Sequence, residues 1–306
     1  MVILDGAMGT ELTRRGVDTT LPLWSAIALD VAPDVVMQIH RDYLDAGAHV
    51  ITTNTFRTNV RALAKAGIAH RARELTFRAV ALARRVVTES RQRQGDRETG
   101  RHEISPLASL SPSLPVQVAG SIAPVEDCYS PDLVPSDAEL AEEHATLARN
   151  LAEAGVDLIL VETQNTIREA VAAARAARAT SKPLWVSFTL DGENRLLSGE
   201  SLPDAVRAVL PFEPQAVLVN CIPVKQVASA LKLLRQATPS YIAIGAYGNV
   251  GHVDETVGWT LTNAVSPEAY AEAACEWRDL GATIIGGCCG TTPEHIRAVA
   301  ALLAKR

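Results

Sequence analysis

Two adjacent cysteines, Cys288 and Cys289, stand near the end of the chain in the run Ile284-Ile285-Gly286-Gly287-Cys288-Cys289-Gly290-Thr291. A third, Cys221, closes the apolar run Ala216-Val217-Leu218-Val219-Asn220. Each site follows a stretch patterned as a buried strand, so three sulfurs can converge at one end of a sheet. Three thiolates on rigid strand ends make a soft metal site with room for a fourth ligand. Zinc is its natural occupant, and an open zinc position points to catalysis rather than to structure. Zinc with three thiolates is already net negative, and a fourth thiolate from a substrate adds to that charge and keeps the sulfur nucleophilic. The metal also pulls a thiol pKa down from about 8.5, so that it is ionised at neutral pH. Such a site suits alkylation of a substrate thiol. The other two cysteines, Cys128 in an expected loop and Cys275 in an Ala-rich helical stretch, are expected to be buried as small hydrophobes.

The elements that must position these thiols follow from the hydrophobic pattern. Short Val- and Ile-rich runs predict strands at 2–4, 50–53, 116–119, 158–162, 184–189, 216–220, 242–246 and 283–286, with a helical segment able to connect each pair. Continuous apolar strands joined by helices indicate a parallel sheet buried on both faces. Eight such units predict a TIM (β/α)8 barrel, a single domain over residues 1–306. A doubly wound sheet is the competitor, but no Gly-x-Gly-x-x-Gly turn follows the first strand. In a barrel, Cys221 ends the sixth strand and Cys288-Cys289 the eighth, on the rim where barrel chemistry takes place.

Helix signals agree with this frame. Apolar periodicity predicts a helix from Asp34 to Ala46 ending at Gly47, and Ser136 with Asp137 can cap a helix running to Ala154 before Gly155. Pro267 and Pro293 suit the first turns of the last two helices. The phrases Asp45-Ala46-Gly47-Ala48, Glu153-Ala154-Gly155-Val156 and Asp279-Leu280-Gly281-Ala282 resemble one another as a repeated helix-to-strand turn. Two segments interrupt the alternation: 95–115, expected as a surface loop, and 248–266, expected to cover the site.

Composition narrows the classes of function. Hydrophobic content of 47% with 21% charged residues describes a globular chain with a sizeable core. The formal charge of −6 argues against non-specific nucleic-acid binding. No stretch approaches the roughly 18 apolar residues of a membrane span, and the start lacks the features of a signal peptide. A cytoplasmic location is therefore expected, where cysteines are reduced thiols or metal ligands rather than disulfides.

Four motifs, in order along almost the whole chain, carry a resemblance: Asp5-Gly6-Ala7-Met8-Gly9-Thr10-Glu11-Leu12, Thr53-Asn54-Thr55-Phe56, Val219-Asn220-Cys221, and Gly286-Gly287-Cys288-Cys289-Gly290-Thr291. Together they resemble the homocysteine S-methyltransferase family, and Leu23-Trp24-Ser25-Ala26 is similar to its stand-alone S-methylmethionine type. The resemblance implies a zinc-bearing barrel that methylates homocysteine to methionine. It implies Cys221, Cys288 and Cys289 as zinc ligands, Glu162 as the carboxylate for the substrate amino group, and Asp5 as its acidic helper. It further implies Thr53 near the substrate, backbone N–H groups around Gly6 for the substrate carboxylate, and Asn249 as a provisional fourth ligand. An amino acid zwitterion needs anions for its ammonium and donors for its carboxylate, which agrees with two acids at strand ends.

A cationic donor would be held by aromatic faces, and Trp24, Phe56, Tyr129 and Trp259 are the candidates. S-Methylmethionine is the first expectation, with S-adenosylmethionine as a substitute and betaine next. Gly120-Ser121-Ile122-Ala123-Pro124 departs from the Gly-Pro-rich form of the S-methylmethionine branch, which leaves a separate corrinoid protein open as the methyl source. A zinc-holding or redox-sensing barrel without turnover is the alternative of another class. The number of subunits is not legible in the sequence.

Overall fold

Eight apolar runs separated by helices become eight parallel strands that close on themselves. A computed structural model describes residues 1–99, 115–254, 258–260 and 265–305. The barrel strands are β1 (Val2–Ile3), β2 (Val50–Thr52), β3 (Gln117–Ile122), β4 (Leu158–Gln164), β5 (Leu184–Phe188), β6 (Ala216–Pro223), β7 (Ala243–Asn249) and β10 (Ala282–Gly287). A short antiparallel hairpin, β8 (His252–Asp254) with β9 (Gly258–Thr260), lies between β7 and the helix that precedes β10.

The strands pair in the order β1-β10-β7-β6-β5-β4-β3-β2. The seam between β1 and β2 is closed by a parallel bridge between Leu4 and Val50, by His49 N donating to Ile3 O (2.7 Å) and by Asp5 N donating to Val50 O (2.9 Å). This is the TIM barrel that the alternating pattern predicts.

Burial follows the two-residue period of a strand. Leu158 and Leu160 of β4 join Leu4, Val50, Leu218 and Ile284 inside the barrel, while Ile159 and Val161 pack outward against the helices. The described α-helices are α1 (Met8–Arg14), α2 (Ala28–Val31), α3 (Pro33–Asp45), α4 (Val60–Lys65), α5 (Ala72–Thr99), α6 (Asp137–Ala154), α7 (Ile167–Arg178), α8 (Leu202–Val209), α9 (Val224–Ala237), α10 (Pro267–Asp279) and α11 (Pro293–Leu303).

Local signals explain their ends. Ser136 and Glu139 form a reciprocal capping box at the start of α6. Pro33, Pro267 and Pro293 occupy first-turn positions. The three repeated turn phrases each carry a glycine in the left-handed region, Gly47 (φ 105°), Gly155 (φ 92°) and Gly281 (φ 96°), where a side chain would be strained.

Two expectations change. The segment 95–115 was expected as a loop, but the preceding helix α5 (Ala72–Thr99) runs through Gly95 to Thr99. Arg91-Gln92-Arg93-Gln94 before the glycine and Arg97-Glu98 after it are good helix formers and outweigh it. Residues 100–114 lie outside the described residues. Of the expected cover at 248–266, Gly248 and Asn249 belong to β7. Residues 255–257 and 261–264, and the side chain of Trp259, lie outside the described part. Among the described residues, no helix is long and apolar enough to cross a membrane.

The glycines before the thiol pair also have a different role from the flexible collar their composition suggests. Gly286 sits in β10 against β1, where an added Cβ would lie 2.5 Å from Leu4 Cβ and 3.0 Å from the Asp5 carbonyl oxygen. An added methyl would press on atoms that the β1–β10 pairing holds in place. Gly286→Ala is therefore expected to destabilise the fold by about 1–3 kcal/mol, read as a lower denaturation midpoint in urea. An unchanged midpoint would contradict this packing.

Candidate metal centre and active site

Cys221 lies near the carboxyl end of β6, where the register against β7 breaks between Asn220 and Pro223. Its φ of 58° is left-handed, so the strand turns sharply at the thiol. A register break of this kind re-aims a side chain. Cys288 and Cys289 follow β10 directly. Their loop is held by Cys288 N donating to Gly248 O (2.9 Å), Val250 N to Cys289 O (3.1 Å), Gly290 N to Thr10 Oγ1 (3.0 Å) and Thr291 Oγ1 to Cys288 O (2.7 Å). The result is a cluster in which all three Sγ atoms lie within 4.8 Å of one another.

Two further groups face the sulfurs. The Tyr129 hydroxyl lies 2.9 Å from Cys221 Sγ, and Asn249 Nδ2 lies 3.7 Å from it. The buried Asn249 Oδ1 has no hydrogen-bond partner among the described residues, an acceptor left over beside the thiols.

The charge distribution shows what this cluster lacks. Hydrogen bonds from Cys288 and Cys289, assisted by Tyr129 and Asn249, hold the Cys221 thiol well below the ordinary thiol range against the effect of burial. The same hydrogen bonds to Cys221, together with burial and its charge, push Cys288 and Cys289 well up. One sulfur ionises at the expense of the other two. A divalent cation removes that conflict because it stabilises all three as thiolates. Tetrahedral zinc at about 2.3 Å from each sulfur needs them roughly 3.8 Å apart, and Cys221 and Cys289 are already at 4.0 Å. The donor set and its spacing fit a metal.

Two buried carboxyl groups share the same rim. Glu162, in β4, accepts from the Ser121 hydroxyl through Oε1 and from the Tyr247 hydroxyl (3.1 Å) through Oε2. Asp5, just after β1, accepts from Thr52 N (2.7 Å) and Thr52 Oγ1 (2.9 Å). Burial is the main cause that raises Glu162 to about 7 and Asp5 to about 8, and the Glu162 charge contributes to the latter. Neither has a cationic partner among the hydrogen bonds and ion pairs of the described residues. Two acids whose ionisation burial opposes are poised to ionise when a cation arrives.

The rim loop at 123–130, which carries Tyr129, is fixed from below. Val125 N donates to Glu169 Oε1 (2.8 Å), which also meets His144 Nε2 (3.1 Å), and Asn165 Nδ2 donates to Cys128 O (3.0 Å). Cys128 is buried in this loop and Cys275 on α10, as expected of both. The Cys221 charge reaches the Cys128 thiol, so Cys128 borders the site rather than filling distant core.

Residues 2–303 match the profile of the family described as homocysteine S-methyltransferase. The chain belongs to the homocysteine S-methyltransferase family. Among its relatives, the homocysteine S-methyltransferase YbgG of Bacillus subtilis is 31% identical, over 98% of this chain and 94% of that protein. A selenocysteine methyltransferase of Astragalus bisulcatus is 29% identical over 98% of this chain and 92% of its own. The crystal structure of the homocysteine methyltransferase MmuM from Escherichia coli, in metallated form, superimposes with a TM-score of 0.79 at 28% identity, covering 98% of this chain and 96% of that one.

Within this methyltransferase barrel, the three predicted thiols meet, and Asp5, Glu162 and Asn249 lie on the same rim. Thr53 follows β2, and its hydroxyl accepts from Ser121 N (3.2 Å) and pairs with Thr55 (2.8 Å), so it supports Ser121 beside Glu162. Gly6 packs tightly, since a Cβ there would lie 2.7 Å from the Tyr43 hydroxyl and 2.8 Å from Thr291 Oγ1. Trp24 and Phe56 stack edge to face with centroids 5.4 Å apart.

Sequence reasoning did not find Ser121, Tyr247 or Thr52, which orient the two acids. Each stands at or near the carboxyl end of a predicted strand, and a polar residue at that position is the signal that could have flagged it.

Proposed function

We propose that the protein transfers a methyl group to the sulfur of homocysteine, giving methionine, with zinc held by Cys221, Cys288 and Cys289. The donor is a small cation, S-methylmethionine first and S-adenosylmethionine as a substitute. Betaine or a separate corrinoid protein are the other sources to be tried. The whole chain, 1–306, serves as one catalytic unit.

The observation that carries this reading is the meeting of a three-thiol cluster with two buried carboxyl groups on one barrel rim. The first suits a soft metal and a substrate sulfur, and the second suits an ammonium. An amino acid bearing a thiol satisfies both at once.

Zinc bound by the three cysteines would lower the pKa of the substrate thiol, so that the sulfur is a nucleophile at neutral pH. Every other part belongs to the chain. Glu162 binds the ammonium, and Ser121 and Tyr247 hold its two oxygens in place. Asp5, fixed by Thr52, adds a second acceptor on the same side. Backbone around Gly6 receives the substrate carboxylate. Asn249, with its spare amide oxygen, and Tyr129 border the open side of the thiol cluster. Trp24 and Phe56, which pair edge to face, are the aromatic candidates for holding the cationic donor. Holding sulfur and methyl carbon in line is the protein's main contribution to the rate.

Incubating purified protein with homocysteine, zinc and each donor in turn should give methionine with S-methylmethionine. Cys289→Ser should lose both zinc and turnover, and turnover retained by that variant would contradict the assignment. Failure of every free donor, with success from a methylated corrinoid carrier, would transfer the donor assignment to the carrier.

The raised pKa of Glu162 sets the sign of a pH effect. Below its value of about 7 the carboxyl is protonated and offers no charge to an ammonium. The kcat/KM for homocysteine should therefore fall as the pH drops through about 7. Glu162→Gln, neutral at every pH, should raise KM about 10-fold or more and flatten that acidic limb. A limb of unchanged shape in the variant would remove Glu162 from the role.

A further inference from the structure

Asn220 ties the strand that carries the carboxyl half of the site to the strand that carries the thiol half. Asn220 is fully buried in β6, one residue before Cys221. Its Oδ1 accepts from the backbone N–H of Thr163 (3.0 Å) and from Ser187 Oγ (2.6 Å), and its Nδ2 donates to Thr163 Oγ1 (2.8 Å). A backbone N–H can only donate, so the amide orientation is forced. Thr163 follows Glu162 in β4, and Ser187 belongs to β5, which separates β4 from β6 in the barrel.

Both outer strands are irregular at these points. The register of β4 against β5 breaks between Val161 and Gln164, and that of β6 against β7 breaks between Asn220 and Pro223. Thr163 and Cys221 each have φ 58°, a left-handed backbone that neither residue type favours. Such conformations persist only where surrounding contacts enforce them. The breaks re-aim Glu162 on one strand and Cys221 on the other, and the Asn220 amide ties one break to the other across β5.

We propose that Asn220 is a positioning residue that fixes the span between the Glu162 carboxyl and the Cys221 sulfur, and so selects the substrate by the length of its amine-to-thiol chain. This rests on the function proposed above. Homocysteine has one more methylene than cysteine between these groups. A rigid span rejects the shorter amino acid, and a slack one does not.

The test compares zinc-loaded wild type, Asn220→Ala, Thr163→Val and Thr163→Ser. Binding of homocysteine and of L-cysteine is measured by calorimetry, methylation of each by initial rates, and zinc per chain by atomic absorption. Asn220→Ala should lower the preference for homocysteine about 10-fold or more, through a larger KM for homocysteine, with zinc content as in wild type. Thr163→Val, which lacks the hydroxyl that Asn220 bonds, should fall in the same direction by a smaller factor, and Thr163→Ser should restore the preference. If Asn220→Ala does not fold, the Thr163 pair decides. Equal weakening of both thiols in a folded variant would overturn the role of Asn220 alone. A wild type that binds neither thiol would overturn the proposed function together with it.

Discussion

Three sulfur atoms within 4.8 Å of one another at a buried barrel mouth cannot all be thiolates unless a cation joins them. That electrostatic constraint organises the rim. Cys221 comes from β6 and the pair Cys288-Cys289 from the end of β10, with β7 between them in the sheet. The intervening strand supplies Tyr247 toward Glu162 and Asn249 toward Cys221, so one strand serves both halves of the site. The cysteine loop is tied to β7 and to α1 by hydrogen bonds, which fixes two of the sulfurs before any metal binds. A centre built this way loses little on ordering its ligands, which is what a preorganised site requires.

The same rim bears a second electrostatic cost. Asp5 and Glu162 are buried, and no cation among their described partners balances them, so both resist ionisation. In the proposed reaction the substrate ammonium offsets that cost and favours the charged form of both acids. Added to this is backbone strain. Thr163, next to Glu162, and Cys221, a proposed metal ligand, both occupy left-handed conformations, at about 1–3 kcal/mol each. Such conformations persist where surrounding contacts enforce them, which the barrel's apolar interior and helical jacket supply here.

How much of this was legible in the sequence depended on the range of the contacts. The strands were readable because a parallel sheet buried on both faces is written as continuous apolar runs, as at 158–162 and 216–220. The thiol trio was readable because its residue types and its places after apolar runs already imply soft-metal chemistry. Helix ends at Ser136, Pro267 and Pro293 were local signals and held. The partners of the acids were not readable, since Ser121 meets Glu162 across 41 positions and Tyr247 meets it across 85. Such pairs are fixed by barrel register, not by neighbouring residues. The need for glycine at 286 and 287 was not readable for a related reason: it comes from close packing against Leu4 and Asp5 and against the Thr291 side chain, which composition does not distinguish from flexibility. Helix α5 continued into Thr99 because propensity over several residues overcame a lone glycine.

The claim on which the account turns is a metal held by three protein sulfurs with one place kept for the substrate. X-ray absorption at the zinc edge, recorded on the purified protein with and without homocysteine, addresses it directly. The account predicts three sulfurs at about 2.3 Å and one lighter atom at about 2.0 Å in the free protein, changing to four sulfurs when homocysteine is added. A spectrum with four sulfurs before the substrate arrives, or one that homocysteine leaves unchanged, would contradict it.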